Sequence, residues 1–513
     1  MYRRKSSICA GAVLITLVAF SALCAPAAAD DWPTYRRDNQ RSGWSYEKLQ
    51  LPLEVKWVYR SATPPTPAWG GPARADFYTP SQTPLKPRLA FDRCYHVAVV
   101  GRYVYFGCSA DDSVYCLDRL SGRVKWSFCT DSPVRMAPYV EGGKVFVGSD
   151  DGSVYCLSAS DGSVIWKYTA AGKSNYFIPN NGRFVSPWAV RSGIAVSDGT
   201  VYFSAGLFPA EGVYICAIDA ETGKDTGAGH WKQLRVNNVS LQGYICLSAT
   251  RIFLPAGRSS PYVFSRSDGR YLGQVGGKNS NSRGTFALIA GERFFTGPAA
   301  RAGALIEEFS LQPNTDYIAA YSGGNEIVVT DKTSYLLSDT KLKALDRSTR
   351  RVIWSQSVSY PYSLILAGDT LFAGGEAEVA AFRASDGTKV WSAEVEGKVY
   401  GLAVAQGMLF VSTDTGAVYA FAAEEPEVLF VRGDVNEDGV VDISDVVATL
   451  VFLFAGGPGP ACLDRADVDD DGTVRINDPI YLLGWLFGGG PQVPAPFPEP
   501  GTDPTPDDLP CGE

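Results

Sequence analysis

Between residues 50 and 425 the chain keeps returning to one pattern: short runs in which Val, Ile, Tyr and Phe alternate with small or polar side chains, closed by Asp-Gly or Ser-Gly. Lys144-Val-Phe-Val-Gly148 is followed after a turn by Ser153-Val-Tyr-Cys-Leu157, and Met408-Leu-Phe-Val-Ser412 by Ala417-Val-Tyr-Ala-Phe421. A period of two predicts strands, and two such runs separated by a tight turn predict hairpins. Helical spacing appears only near the C-terminus. There Val447, Leu450 and Phe454 are followed by Ile480, Leu483 and Phe487, the second set offset from the first by 33 residues.

The hairpins sit inside a longer unit. Cys116-x-Asp118-x-x-x-Gly122-x-x-x-Trp126 recurs as Cys156-x-Ser158-x-x-x-Gly162-x-x-x-Trp166, then in worn form around Ala217 to Trp231, Val263 to Gly273, Ala344 to Trp354 and Ala381 to Trp391. A period of about 40 residues with four strands per unit predicts a β-propeller. The spacing is mechanically sensible: Asp or Ser can bond the turn backbone, Gly takes the tight turn, and Trp enters the next strand, where it can pack between blades. The pattern resembles the tryptophan-docking repeat of pyrroloquinoline-quinone (PQQ) propellers, a group that includes quinoprotein alcohol dehydrogenases and the non-catalytic assembly scaffold BamB. Trp57, in Leu53-Glu-Val-Lys-Trp57, precedes any hairpin, whereas the last hairpin ends at Phe421 without a Trp strand. The first strand is therefore expected to complete the last blade, which removes sheet edges. Six Trp units, Gly273 and an eroded unit near 305–320 predict eight blades, with seven as the alternative. The fold class is all-β, with a small α-helical domain appended.

That appended domain carries a duplicated loop. Asp434-Val-Asn436-Glu-Asp438-Gly439-Val440-Val-Asp442-Ile443-Ser444-Asp445 returns as Asp467-Val-Asp469-Asp-Asp471-Gly472-Thr473-Val-Arg475-Ile476-Asn477-Asp478. Oxygen side chains at positions 1, 3 and 5, Gly at 6, a backbone carbonyl at 7 (Val440, Thr473) and a carboxylate at 12 suit Ca²⁺, which takes six to eight hard oxygen ligands. Asp442 adds a ligand at position 9 of the first loop. Two loops in register, each leading into a helix, predict two Ca²⁺ sites. The duplication resembles a type I dockerin, the calcium-dependent anchoring domain of secreted polysaccharide-degrading systems, over residues 430–490. The resemblance implies a cohesin-like protein partner and assigns partner choice to loop positions 10 and 11, here Ile443, Ser444, Ile476 and Asn477. Arg475 replaces the expected ligand at position 9 of the second loop, so that site should be the weaker one.

The expected organisation is a signal peptide over 1–29, a propeller over 30–425, the calcium module over 426–490 and a Pro/Asp-rich tail over 491–513. Arg3, Arg4 and Lys5 precede an apolar run ending near Ala25, and Ala27-Ala28-Ala29 offers a small-residue cleavage site before Asp30. No second apolar stretch is long enough to span a bilayer, so the expected location is secreted, cell-surface or periplasmic. Of the net charge of −9, residues 431–513 contribute 16 acidic and 3 basic side chains, which leaves the propeller nearly neutral. It has no basic stripe for a nucleic-acid partner. Export permits disulfides. Cys462 and Cys511 are placed to staple the tail to the calcium module, and Cys108 and Cys116 flank a hairpin turn across which they can face each other.

Catalytic signals are scarce. Only His96 and His230 are present, too few for most nucleophilic or zinc constellations. Quinoprotein dehydrogenases characteristically hold the quinone against a disulfide between adjacent cysteines. This chain has no Cys-Cys dipeptide and no Cys-x-x-Cys-His for haem, so PQQ is not expected. Arg135, Arg183, Arg191 and Arg258 occupy long connections near inner-strand ends, where they could meet an anionic or carbohydrate ligand or simply brace neighbouring loops. Thr63-Pro-Pro-Thr-Pro-Ala-Trp69-Gly-Gly-Pro72 is expected to lie across one face. The sequence is best read as a non-catalytic binding or scaffold protein anchored through its calcium module. A quinone-dependent dehydrogenase and a BamB-like assembly scaffold are the alternatives.

Overall fold

The computed structural model describes residues 30–69, 91–173, 176–236, 239–257, 259–276, 284–297, 305–314, 317–424, 429–505, 509 and 511. Two compact units divide between Ala423 and Glu424. The first is built of antiparallel four-stranded meanders. Six stand as separate sheets, an eight-stranded sheet holds two more, and Ile178–Asn180 pairs with Arg183–Val185 in a hairpin of its own. Lys389–Ala405 runs through that larger sheet, pairing first with Glu376–Arg383 and then with Met408–Thr413. As the repeat predicts, Leu53–Arg60 pairs antiparallel with Ala417–Ala423, placing Trp57 opposite Ala420.

Within a meander, burial explains the residue pattern. Tyr103–Cys108 and Ser113–Asp118 are covered on both faces and read as nearly continuous apolar runs, while in the outermost strand, Val124–Cys129, only Trp126 is buried. That Trp docks onto the next meander's turn. Its Nε1 donates to Ala159 O at 3.0 Å, and its ring lies against Gly162, where a Cβ would come within 2.6 Å of the indole. Gly162 also has φ +74°, so it is required twice over. Trp57, Trp166, Trp231 and Trp354 repeat the contact on Gly122, Gly223, Gly269 and Gly387, each indole donating to a turn carbonyl at 2.6–3.0 Å. Where the Trp is lost, polar groups replace it. Asn314 lies against Gly273 and donates to Leu272 O, and the fully buried Glu308 gathers Arg347, Arg350 and Tyr321.

Residues 30–47 run across the innermost strands of successive meanders. Trp32 exchanges backbone hydrogen bonds with Val99, Pro33 O accepts Val140 N, and Asn39 bonds Val196 O and Leu247 N. Gln40 O takes Ile289 N, Arg36 reaches Ile327 O, Gly43 O takes Leu366 N, and Glu47 receives Gln406 N and Gly407 N. Two buried arginines fix this segment. Arg41 donates to Ile245 O and Ile194 O at 2.9 and 3.0 Å, and Arg36 pairs with Glu326.

The second unit holds α1 (Ile443–Ala455) and α2 (Asn477–Gly488). Val446, Val468, Leu482 and Val493 form its buried core, and the Cys462–Cys511 disulfide ties the tail to it. Cys108 and Cys116 do not face each other. Cys108 lies opposite Ser113 and Cys116 opposite Tyr105, and both are free thiols. The hairpin turn closes three residues short of the register that pairing needs. The signal expected over 1–29 lies outside the described residues.

Candidate functional site: twin carboxylate loops

In the second unit the loop ends are set by the helices they open. Asp442 caps α1 and accepts Ser444 N at 2.7 Å, and Asp445 returns the capping-box bond to Asp442 N at 2.9 Å. The remaining oxygen of Asp445 takes Val435 N and Asn436 N, at 2.7 and 3.1 Å. Asp478 does the same with Val468, Asp469 and Arg475, at 2.7, 3.3 and 2.7 Å. Both position-12 carboxylates are fully buried. At position 1, Asp467 accepts Asp471 N and Gly472 N, whereas Asp434 accepts Gly439 N at 3.4 Å and the Arg465 guanidinium at 3.2 Å. The other predicted ligands, Asn436, Asp438 and Asp471, cross-link their own loops.

The electrostatics favour a cation. Ligand oxygens of Asp467, Asp469 and Asp471 lie within 4.8 Å of one another. One oxygen of Asp469 is buried without a hydrogen-bond partner. Burial, with like charge from Asp469 and Asp467, pushes Asp478 up to about 6. Burial and neighbouring carboxylates also raise Asp467 and Asp469. These donors fit Ca²⁺. Arg475 donates to Asp471 at 2.7 Å, so a guanidinium already competes for one ligand of the second loop.

Two arginines escaped the sequence reading although they share the 33-residue offset. Arg432 donates to Asp467 O at 2.7 Å, and Arg465 donates to Asp434 O at 3.2 Å, each bracing the opposite loop. Arg432 is fully buried and also pairs with Asp470 and Asp503.

In the propeller, Arg135 pairs with Asp92 at 3.1 Å and Asp150 at 2.6 Å, and Arg191 bonds Asp150 at 2.7–2.8 Å, all nearly or wholly buried. Asp150 stays below the ordinary carboxylate range because both guanidinium groups outweigh its burial. Arg183 is partly exposed and held by Asp112 and Ala110 O. Three of the four expected ligand arginines therefore brace loops, and Arg258 lies outside the described residues. The described part of the 63–72 stretch packs down as well, with Ala68 N on Asp92 at 2.7 Å and Trp69 on Gln242 at 2.9 Å.

Tyr35 stacks on Tyr244 at 3.8 Å, and His96 meets Tyr35 edge-on at 4.8 Å, beside Cys94. Burial pushes His96 down to about 4, although the residue as a whole is only half-buried. The unfolded chain takes up this proton near pH 6.5 while the folded ring refuses it until about pH 4. Stability from this group is therefore complete above pH 6.5 and lost as the pH falls, by on the order of 2 kcal/mol. His96→Gln should flatten that part of the acid limb in urea-unfolding curves measured between pH 7 and 4.

Tryptophan-docked meanders whose first and last strands pair define a β-propeller. The chain matches the family described as outer membrane protein assembly factor BamB over residues 81–186 and 338–466. Among solved structures it resembles quinohemoprotein alcohol dehydrogenase from Comamonas testosteroni, at 15% identity and a TM-score of 0.54 over 86% of this chain and 87% of that one. It also resembles quinohemoprotein alcohol dehydrogenase ADHIIG from Pseudomonas putida HK5, at 12% identity and a TM-score of 0.52 over 87% and 88%. At these identities the likeness is one of fold. No curated protein matches the chain. No helix among the described residues is long and apolar enough to cross a membrane.

Among the described residues, the buried carboxylates Asp92, Asp150 and Glu326 each face an arginine that would oppose a metal ion.

Proposed function

We propose that this chain is a non-catalytic binding protein of the cell envelope or exterior, with a rigid propeller and a calcium-dependent dockerin-like module that docks onto a cohesin-like protein. In this reading the ring has eight blades, the two within the eight-stranded sheet sharing Lys389–Ala405. One observation carries the docking. Ile443, Val447 and Phe454 on and beside α1 are exposed by 54, 54 and 70%, and their counterparts 33 residues on, Ile476, Ile480 and Phe487, by 43, 59 and 70%. Large apolar side chains left in water as a continuous stripe mark an interaction surface. The partner-selecting positions Ile443, Ser444, Ile476 and Asn477 head the same two stripes.

Because the stripes are duplicates, either alone can serve. Val447→Asp or Ile480→Asp alone should weaken binding to a purified cohesin domain by less than about tenfold, and the pair together should abolish it. Isothermal titration of the mature chain with and without Ca²⁺ measures this. Full affinity in the double variant would reject the docking face. An assembly-scaffold reading draws on the BamB family match and predicts partners on the propeller instead. Native mass spectrometry with Ca²⁺ and PQQ tests the dehydrogenase reading, since a stoichiometric quinone adduct would replace the proposal.

A further inference from the structure

Glu47 is a buried carboxylate, 4% exposed, with no cation paired to it among the described residues. It accepts three backbone N–H groups: Asp30 at 3.0 Å, Gln406 at 3.2 Å and Gly407. Arg119 feels its charge but donates to Gln406 O instead, at 2.9 Å. An ionised carboxylate taken from water ordinarily needs a counter-charge. Asp30 directly follows the small-residue run Ala27-Ala28-Ala29.

We propose that removal of the leader between Ala29 and Asp30 supplies that charge, the new α-ammonium of Asp30 forming a buried ion pair with Glu47. Hydrolysis by a signal peptidase consumes one water. Ala29 leaves with the new carboxylate, and the Asp30 nitrogen takes up a proton at neutral pH, an α-amino group having a pKa of about 7.7–8.0. No nearby acid competes for it. The Asp30 side chain is held by Arg37 at 2.5 Å, and Asp31 by Gln406 and Gly101 at 2.8 and 2.9 Å. The pair joins both ends of the N-terminal segment to the turn after Lys389–Ala405. Maturation thus fixes the segment across the ring, and a precursor still carrying its leader holds it more loosely.

The inference rests on the export reading of residues 1–29, and the test separates the two. Chains beginning at Asp30 are compared with chains carrying an added Gly-Ser before it, each with and without Glu47→Gln. The extension and the substitution should each lower the melting temperature by about 2–4 °C, and together by no more than either alone. Additive effects, or a silent extension, would overturn the ion pair. Should Glu47→Gln fail to fold, protection of the Asp30 amine from acylation in the native chain decides the same point, free reactivity counting against the pair. N-terminal sequencing of the exported protein checks the other premise. A start other than Asp30 would overturn the maturation step and leave the geometry of Glu47 untouched.

Discussion

Asp445→Ala is expected to unfold the C-terminal unit while the propeller stays folded. The substitution removes a proposed Ca²⁺ ligand, strands the buried N–H of Val435 and breaks the part-buried bonds from Asn436 N and Asp442 N. The Val435 N–H costs about 1–3 kcal/mol once unsatisfied, and a unit this small has only a few kcal/mol in hand. Chelation in the wild type should act the same way more gently, since ligand at a hundred times its Kd contributes about 2.7 kcal/mol. Asp434→Ala should reduce bound Ca²⁺ from two ions to one. For the second loop the ranking splits: Asp478→Ala should cost less calcium affinity, because Arg475 already weakens that site, yet nearly as much stability, because Asp478 holds the three equivalent N–H groups, of Val468, Asp469 and Arg475. Trp485 fluoresces from within this unit, and limited proteolysis followed by mass spectrometry would read the outcome. Two bound ions in the Asp434→Ala protein would sink the ligand assignment.

The second large effect is at a blade junction. Trp126→Ala should destabilise the propeller by about 3–5 kcal/mol, the usual cost of deleting a buried Trp. The indole also satisfies Ala159 O at 3.0 Å. Trp126→Phe should recover most of the packing but not that bond, leaving a deficit of about 1 kcal/mol. Gly162→Ala tests the same contact from the other side, since its Cβ would lie 2.6 Å from the ring at a positive φ. Urea midpoints of the three variants should order as Phe above both alanines, and equal midpoints for Phe and wild type would show that the bond adds nothing.

Repetition made much of this legible in the sequence. The Trp–Gly spacing is set by a turn that recurs, so one unit teaches the next, and the orphan Trp57 with the Trp-less last hairpin gave ring closure. The twin loops were equally plain in the sequence, because a repeated spacing of Asp and Gly leads each time into a helix. What stayed hidden depends on contacts between distant parts of the chain. Residues 30–47 have no periodicity, since their partners are backbone atoms on every inner strand. Arg135 and Arg191 looked available for a ligand because nothing local announces that Asp92 and Asp150 are waiting for them. Arg432 and Arg465 did carry a signal, the 33-residue offset, but they fall outside the twelve-residue loop. Asn314 and Glu308 replace missing tryptophans by different chemistry, which no pattern search for Trp would find.

The N-terminal segment also sets an order of events. It is the first part of the propeller to emerge, yet its last partners, Gln406 and Gly407, arrive only when nearly the whole propeller has been delivered. Meanders form from neighbours in sequence and can assemble as they appear, but Leu53–Arg60 must wait for Ala417–Ala423. Closing so long a loop is entropically slow. The early product is therefore an open arc with a free strand edge and an idle leading segment, exposed to wrong pairing until the final blade is in place.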